Sequence, residues 1–340
     1  MNDTGYFMPG EWAKHERTLI SWPVKDSLVW TDNYEEVCNG YEEVINAIAE
    51  FEAVTVIAND SDVENLKNRL NDKVHILIVP HNDAWCRDNG PTFVWNNQKD
   101  LKGINWKFNA WGEKYAPYDL DDKAASAVLT AIGVPVLHSS IVLEGGSIHV
   151  DGEGTMLTTK QCLLNKNRNP HLTQKEIEEE LKDKLRIEKI IWLNQGLFGD
   201  ETDGHIDNIA CFARPGEVII QTCKDKEDPN YEITQENLKI LQEATDSKGR
   251  KLKIMEIPQP PARFYKGVRL TLSYLNFYFV NGGIILPVFG GDAAETDYKA
   301  REILQKEFPD RKIVTVDGMA LIKEGGNVHC ITQQMPAGKY

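Results

Sequence analysis

The chain has 340 residues, 41% hydrophobic and 26% charged, the balance of an ordinary protein that can bury a large core. Its 38 Lys and Arg stand against 52 Asp and Glu, a net charge of −14. Such a surface repels phosphate backbones, which argues against a nucleic-acid partner; it suits a small cation, or simply keeps the chain dispersed.

The first residues, MNDTGYFMPGEWAKHERTLISWP, show no basic region followed by an apolar one, so no secretory signal is expected. Apolar runs such as 284–289 are too short to span a bilayer, so no membrane partner is expected either. The first helix is expected over 33–52, with Val37, Tyr41, Val44, Ile45 and Ile48 at helical spacing. Strands are expected at 54–58 and 74–80. A β-rich unit then opens with Arg87-Asp88-Asn89-Gly90-Pro91 and runs to Trp95. The next starts at Ser147, turns at Asp151-Gly152-Glu153-Gly154 and resumes at Thr155.

Thr173 with Glu176 three residues later is a capping box for a helix to Leu185, followed by a strand at 189–193. A third unit runs from His205 through Arg214-Pro215-Gly216-Glu217 to Ile220, then a helix at 237–245. A fourth runs from Tyr274 through Asn281-Gly282-Gly283 to Leu286, then a helix at 298–308 and a strand at 313–316. A fifth begins at Asn327. Two of these segments carry one motif, E-G-G-[SN]-[IV]-H, at Glu144–His149 and again at Glu324–His329, 180 residues later. Anchors near 88, 147, 205, 276 and 327, spaced by 51 to 71 residues, imply an α/β ring of five units, one domain over 1–340, each presenting a hairpin start to a central axis.

The inward starts bring together Asp88, Glu144, His149, His205, Asp207 and Cys330, a constellation suited to covalent catalysis. Each has a plainer reading. Cys330 is one of six cysteines (38, 86, 162, 211, 223, 330) with no C-x-x-C pair, which read as reduced thiols of a cytoplasmic protein. The other five are taken as buried apolar groups, with Cys86, beside Arg87-Asp88, the least clear of them. Asp88 before Asn89-Gly90 could serve only its own turn. His205-x-Asp207 on a strand would point both side chains to one face. That pair could also ligate a metal, a weaker reading without a Cys or His cluster at zinc spacing. Trp85 is either core or a flat lid over a planar cation; Trp22 and Trp30 are assigned to the core.

These residues carry a resemblance to a known family. Ser21-Trp22-Pro23, Asp83–Thr92, Glu144-Gly145-Gly146, Asp151–Thr155, Leu163–Pro170, Asp200–Asn208, Asp228–Tyr231, Ser273–Tyr278 and Gly325–Gln334 resemble the agmatine deiminases of the Porphyromonas-type peptidylarginine deiminase superfamily, among the guanidine-modifying enzymes. Glu324 stands where many relatives have Gly. The resemblance covers essentially the whole chain and implies a five-bladed α/β propeller of pentein type. It implies hydrolysis of agmatine to N-carbamoylputrescine and ammonia without metal or organic cofactor, and leaves homo-oligomerisation open. By it Cys330 is the nucleophile, His205 the general acid/base, Asp88 and Asp207 the guanidinium-binding carboxylates, Glu144 a further carboxylate near His205, and Trp85 a pocket wall. Agmatine ends in an ammonium rather than a carboxylate, and Glu201 is the candidate to hold it, with a surface or capping role as its alternative. Rival readings are an arginine or peptidylarginine deiminase, an amidinotransferase, and a silent polyamine-binding protein.

Overall fold

A computed structural model describes residues 5–25, 27–29 and 32–340. The β-rich runs separated by glycine turns become hairpins, and each hairpin is extended by one parallel strand. Thr92–Trp95 pairs antiparallel with Leu101–Lys107, which pairs parallel with Val136–Val142. The same order recurs in Ile148–Val150, Thr155–Thr159 and Lys189–Leu193. It recurs again in Ala210–Arg214, Glu217–Thr222 and Lys253–Pro258, and in Tyr278–Val280, Gly283–Val288 and Lys312–Asp317.

The fifth sheet joins the two ends of the chain. Thr332–Pro336 runs antiparallel to His15–Ser21, which lies parallel to Ala53–Ala58, itself parallel to His75–Ile78. Among the described residues the five sheets of three or more strands are joined by one further two-stranded ribbon, Phe264–Tyr265 with Val268–Arg269. Parallel neighbours cannot be linked by a tight turn and need a crossover. Those crossovers carry the helices Tyr34–Ala49, Val63–Arg69, Asp121–Ile132, Gln174–Leu185, Asn230–Glu243 and Ala294–Glu307. The first buries the five apolar residues its spacing predicts.

Three sequence expectations change. The helices expected at 237 and 298 start earlier, at Asn230 and Ala294. Asp228, whose carboxylate accepts from the Asn230 amide at 2.9 Å, starts the first of them. Asp121–Ile132 went unread because Ala124 and Ala125 make up half its buried apolar face and give a weak periodic signal. Most important, Asp88, Asp207 and Cys330, expected at strand starts, sit one step earlier, on single helical turns. These are Cys86–Asn89, Gly145–Ser147, Ile206–Asn208 and Val328–Ile331, each just ahead of the first strand of its sheet. Asn276 holds the corresponding position before Tyr278–Val280. Trp22 is fully buried; Trp30 lies outside the described residues.

The capping box is present in full: Thr173 Oγ1 accepts from the Glu176 amide, and Glu176 accepts from the Thr173 amide at 2.8 Å. Thr173→Ala should therefore cost about 1 kcal/mol in denaturant titration and leave every site distance unchanged.

Candidate active site

The single turns ahead of the sheets gather the predicted residues around one point. Their approach depends on glycine. A Cβ on Gly146 would stand 2.7 Å from His205 Nδ1, 2.8 Å from Asp88 Oδ1 and 2.9 Å from Asp207 Oδ2, so only a bare Cα lets these three groups meet. A Cβ on Gly145 would strike the Arg87 carbonyl oxygen at 2.1 Å, and one on Gly326 the Trp85 ring at 2.2 Å. The repeated Gly-Gly pair is thus a requirement of close packing at the centre.

Cys330 is buried, and its Sγ lies 3.2 Å from Asn276 Nδ2, which donates, and 3.5 Å from Asp207 Oδ2, which accepts. Asn276 Oδ1 accepts the His329 and Cys330 amides at 3.0 and 3.3 Å, fixing the turn that carries the sulfur. Burial, then Asp207 and Asp88, push the Cys330 thiol well above its usual range. His205 is fully buried between two carboxylates. Its Nδ1 is 3.8 Å from Asp88 Oδ2 and its Nε2 3.8 Å from Glu144 Oε2, charge contacts rather than hydrogen bonds. Burial opposes its protonation, but Asp88, Cys162 and Glu144 outweigh that and hold His205 well above the usual imidazole range.

Each carboxylate is held in its own way. Asp88 accepts from the Gly146 amide and from Trp111 Nε1, both at 2.9 Å; burial raises its carboxyl, with His205 opposing. Glu144 accepts from Arg168 Nε at 2.6 Å. Although burial works to raise it, Arg168 and His205 keep Glu144 below the usual carboxylate range. Asp207 Oδ2 receives His329 Nδ1 at 3.0 Å, while its buried Oδ1 has no partner. His205 and Asp207 do not share a strand face. The segment bends at Asp203 (φ 65°) and Gly204 (φ 92°) into the turn Ile206–Asn208, and the strand begins only at Ala210.

Over this centre lies a pocket of about 360 Å³ including its open mouth. Trp85, Asp88, Trp111 and Cys330 line its floor and walls. Trp85 meets Trp111 edge to face, with centroids 6.3 Å apart. Glu201 is at the mouth with Glu324, and the Tyr115 hydroxyl donates to Glu201. Burial lifts the Glu324 carboxyl, with Glu201 adding to the effect. The two copies of the E-G-G motif therefore diverge: Glu144 is interior and Glu324 is at the rim.

Several site residues were not legible in the sequence. Trp111 holds Asp88 from a left-handed backbone (φ 56°), an outlier for a bulky residue that marks a strained functional segment. Arg168 also binds Asp203 at 2.7 Å and the Thr202 carbonyl at 2.9 Å. Glu11, from the N-terminal segment, receives His329 Nε2 at 2.9 Å and lies 3.5 Å from Arg87 and 3.6 Å from His149 Nε2. His149 Nδ1 accepts the Phe212 amide at 3.2 Å, so its proton is on Nε2, toward Glu11. Both motif histidines thus converge on one carboxylate. The repeat of His149 and His329 was the available signal; nothing local marked Glu11.

Glu144, Cys162 and His205 present potential metal-ligand atoms within 4.8 Å of one another. Cys162 is far from any zinc-like spacing in sequence and is brought there by the turn after Thr155–Thr159.

The sequence matches the Porphyromonas-type peptidyl-arginine deiminase family over residues 7–336. It is 44% identical over 357 aligned positions to the agmatine deiminase of Pseudomonas aeruginosa strain LESB58, covering 98% of this chain and 96% of that one. The solved agmatine deiminase of Enterococcus faecalis superposes with a TM-score of 0.92 at 38% identity, covering 98% and 96% of the two chains. The C. jejuni agmatine deiminase, solved as a cysteine-to-serine variant with substrate bound, superposes at 0.90 and 32% identity, covering 100% and 99%.

Burial opposes ionisation of Glu11, yet His329, His149 and Arg87 hold its carboxyl well below the usual range; burial and Arg87 oppose a charged His329, yet Glu11 and Asp207 raise it. Removing one partner of such a buried pair costs about 3–5 kcal/mol, so Glu11→Gln should lose roughly that in denaturant titration. The loss should be greatest between about pH 4.3 and 6.5. It should shrink below, as Glu11 takes a proton in the folded state, and above, as His329 releases one. A loss independent of pH would contradict the charged pair.

Proposed function

The chain belongs to the Porphyromonas-type peptidyl-arginine deiminase family, and we propose that it is an agmatine deiminase, hydrolysing agmatine to N-carbamoylputrescine and ammonia. The observation that carries this reading is the pocket with the groups packed against it: Cys330 and Asp88 line it, His205 lies against Asp88, Asp207 accepts from the thiol, and Glu201 and Glu324 stand at the mouth. A guanidinium and an ammonium at opposite ends of one small molecule match both charges. A free arginine would bring its carboxylate against Glu201 and Glu324.

A guanidinium remains protonated in water and its resonance makes the carbon a poor electrophile. Asp88 and the unpartnered Oδ1 of Asp207 are the acceptors for its N–H groups, holding the carbon before Sγ. The Cys330 proton passes toward Asp207, the hydrogen-bond acceptor of the thiol. The thiolate attacks the carbon, giving a tetrahedral adduct. His205, already an imidazolium, protonates the departing nitrogen and ammonia leaves. A planar amidino-thioether stays on Cys330. Neutral His205 then takes a proton from water as its oxygen attacks the same carbon, the C–S bond breaks with its electrons on sulfur, Asp207 returns its proton to the thiolate, and the ureido product departs as water's second proton passes to the released ammonia, giving ammonium. Glu144, fixed by Arg168, stabilises the charge on His205. Trp85 and Trp111 wall the guanidinium plane and exclude water.

At the level of architecture, the five sheets are read as blades of one five-bladed α/β propeller over residues 1–340. The antiparallel union of Thr332–Pro336 with His15–Ser21 supports a closed ring. All six cysteines are unpaired and buried, which supports a reducing, cytoplasmic setting. No helix among the described residues is long and apolar enough to cross a membrane.

An ammonia-release assay on agmatine, free arginine and a blocked arginine peptide in parallel tests the substrate: agmatine should lead by roughly 100-fold or more in kcat/KM. Turnover of either arginine form with none of agmatine would overturn the reading. Glu201→Gln should raise KM for agmatine much more than for a guanidine with an uncharged tail. Because Asp207 and Asp88 raise the thiol's pKa, the thiolate should form mainly beside the bound cation. Its absorbance should titrate at lower pH with a guanidinium ligand than without, and an equal midpoint would sink that step.

A further inference from the structure

The reaction just described employs His205 and Glu144 but has no task for the third member of their group, Cys162. Glu144 Oε2 is 4.0 Å from Cys162 Sγ and 3.8 Å from His205 Nε2, and all three ligand atoms lie within 4.8 Å of one another. A tetrahedral zinc ion, with bonds of about 2.3 Å to sulfur and 2.0–2.2 Å to nitrogen and oxygen, spaces its ligands slightly closer than this. Small side-chain shifts would therefore close the cage. Two further observations point to a ligand. His205 is fully buried, and neither of its ring nitrogens has a hydrogen-bond partner, with Nε2 aimed into the group. Arg168 occupies only Oε1 of Glu144, leaving Oε2 for another cation.

We infer that Cys162, Glu144 and His205 form an inhibitory site for a zinc-like divalent ion, distinct from the nucleophile Cys330. Thiolate, imidazole and carboxylate together favour zinc or cobalt over the oxygen-seeking magnesium and calcium. Binding releases the Cys162 thiol proton and the Nε2 proton of His205 to solvent. Once Nε2 is ligated it can no longer carry the proton given to the leaving nitrogen, and turnover stops. The ion-binding claim stands on geometry alone; the inhibition rests on the proposed function.

The test uses the full-length chain, freed of adventitious metal by a chelator and titrated with Co2+, whose thiolate charge-transfer band reports a sulfur ligand without any need for turnover. Wild type and Cys330→Ser should each bind one cobalt with that band. Cys162→Ser should lose the band and weaken binding by more than the ~10–100-fold that loss of an outer-shell partner costs. Its ammonia release, whatever its basal rate, should resist Zn2+ at concentrations that stop the wild type. A band that survives Cys162→Ser or vanishes in Cys330→Ser would place the ion on the nucleophile and overturn the proposal, as would a wild type that gives no band. Should Cys162→Ser fail to fold, the Cys330→Ser titration decides in the same way. Cobalt binding through Cys162 in a protein that releases no ammonia from any guanidine would sink the proposed function and leave the metal site standing.

Discussion

Four carboxylates are buried around one thiol, and the rest of the centre is organised to make that tolerable. Glu11, Asp88, Glu144 and Asp207 are each at most 5% exposed, and carboxylates survive such burial only with charge and hydrogen-bond partners. Arg168 answers Glu144, Arg87 and His329 answer Glu11, His329 also answers Asp207, and His205 lies between Asp88 and Glu144. Two guanidiniums and two histidines therefore face four carboxylates. In the proposed reaction an arriving guanidinium and a newly formed Cys330 thiolate are a matched pair. Neither is stable there alone. In the proposed reaction the carboxylates that, after burial, raise the free thiol's pKa are the same groups that hold the cation able to stabilise it, which couples activation of Cys330 to substrate binding.

The scaffold meets this constraint by repetition. Every sheet begins with a short turn, and the turns carry Asp88, Gly146, Asp207 and Cys330 to a common centre, with Asn276 entering from the fourth. Glycine at 145, 146 and 326 removes the side chains that would keep these turns apart. Elements remote in sequence then secure them: the N-terminal segment delivers Glu11 to His329, and the strained stretch at Trp111 delivers a donor to Asp88. The same crowding brings Cys162 against His205, the proposed general acid.

Much of this was legible in the residues. The repeated E-G-G-x-x-H pattern and the hairpin turns located five sheets, and the strand at 189–193 and the capping box at Thr173 are where the pattern put them. Asp88, Glu144, His205, Asp207, Trp85 and Cys330 do converge, and Glu201 stands at the mouth. What could not be read is as informative. Strand periodicity suggested a shared face for His205 and Asp207, but Gly204 in a left-handed conformation turns the chain first. Arg168, Glu11 and Cys162 act through contacts spanning many residues, and no local pattern encodes which buried charge will meet which. Glu324 looked equivalent to Glu144 by motif and is not, because equal sequence does not impose equal depth.

The proposed reaction turns on a covalent bond between Cys330 and the substrate carbon. Acid-quenching the enzyme during turnover of agmatine, then mapping its peptides by mass spectrometry, reads that bond directly. An amidino adduct should appear on the peptide containing Cys330, accumulate before steady state and vanish in Cys330→Ser. Full turnover with no adduct, or an adduct on another cysteine, would contradict it.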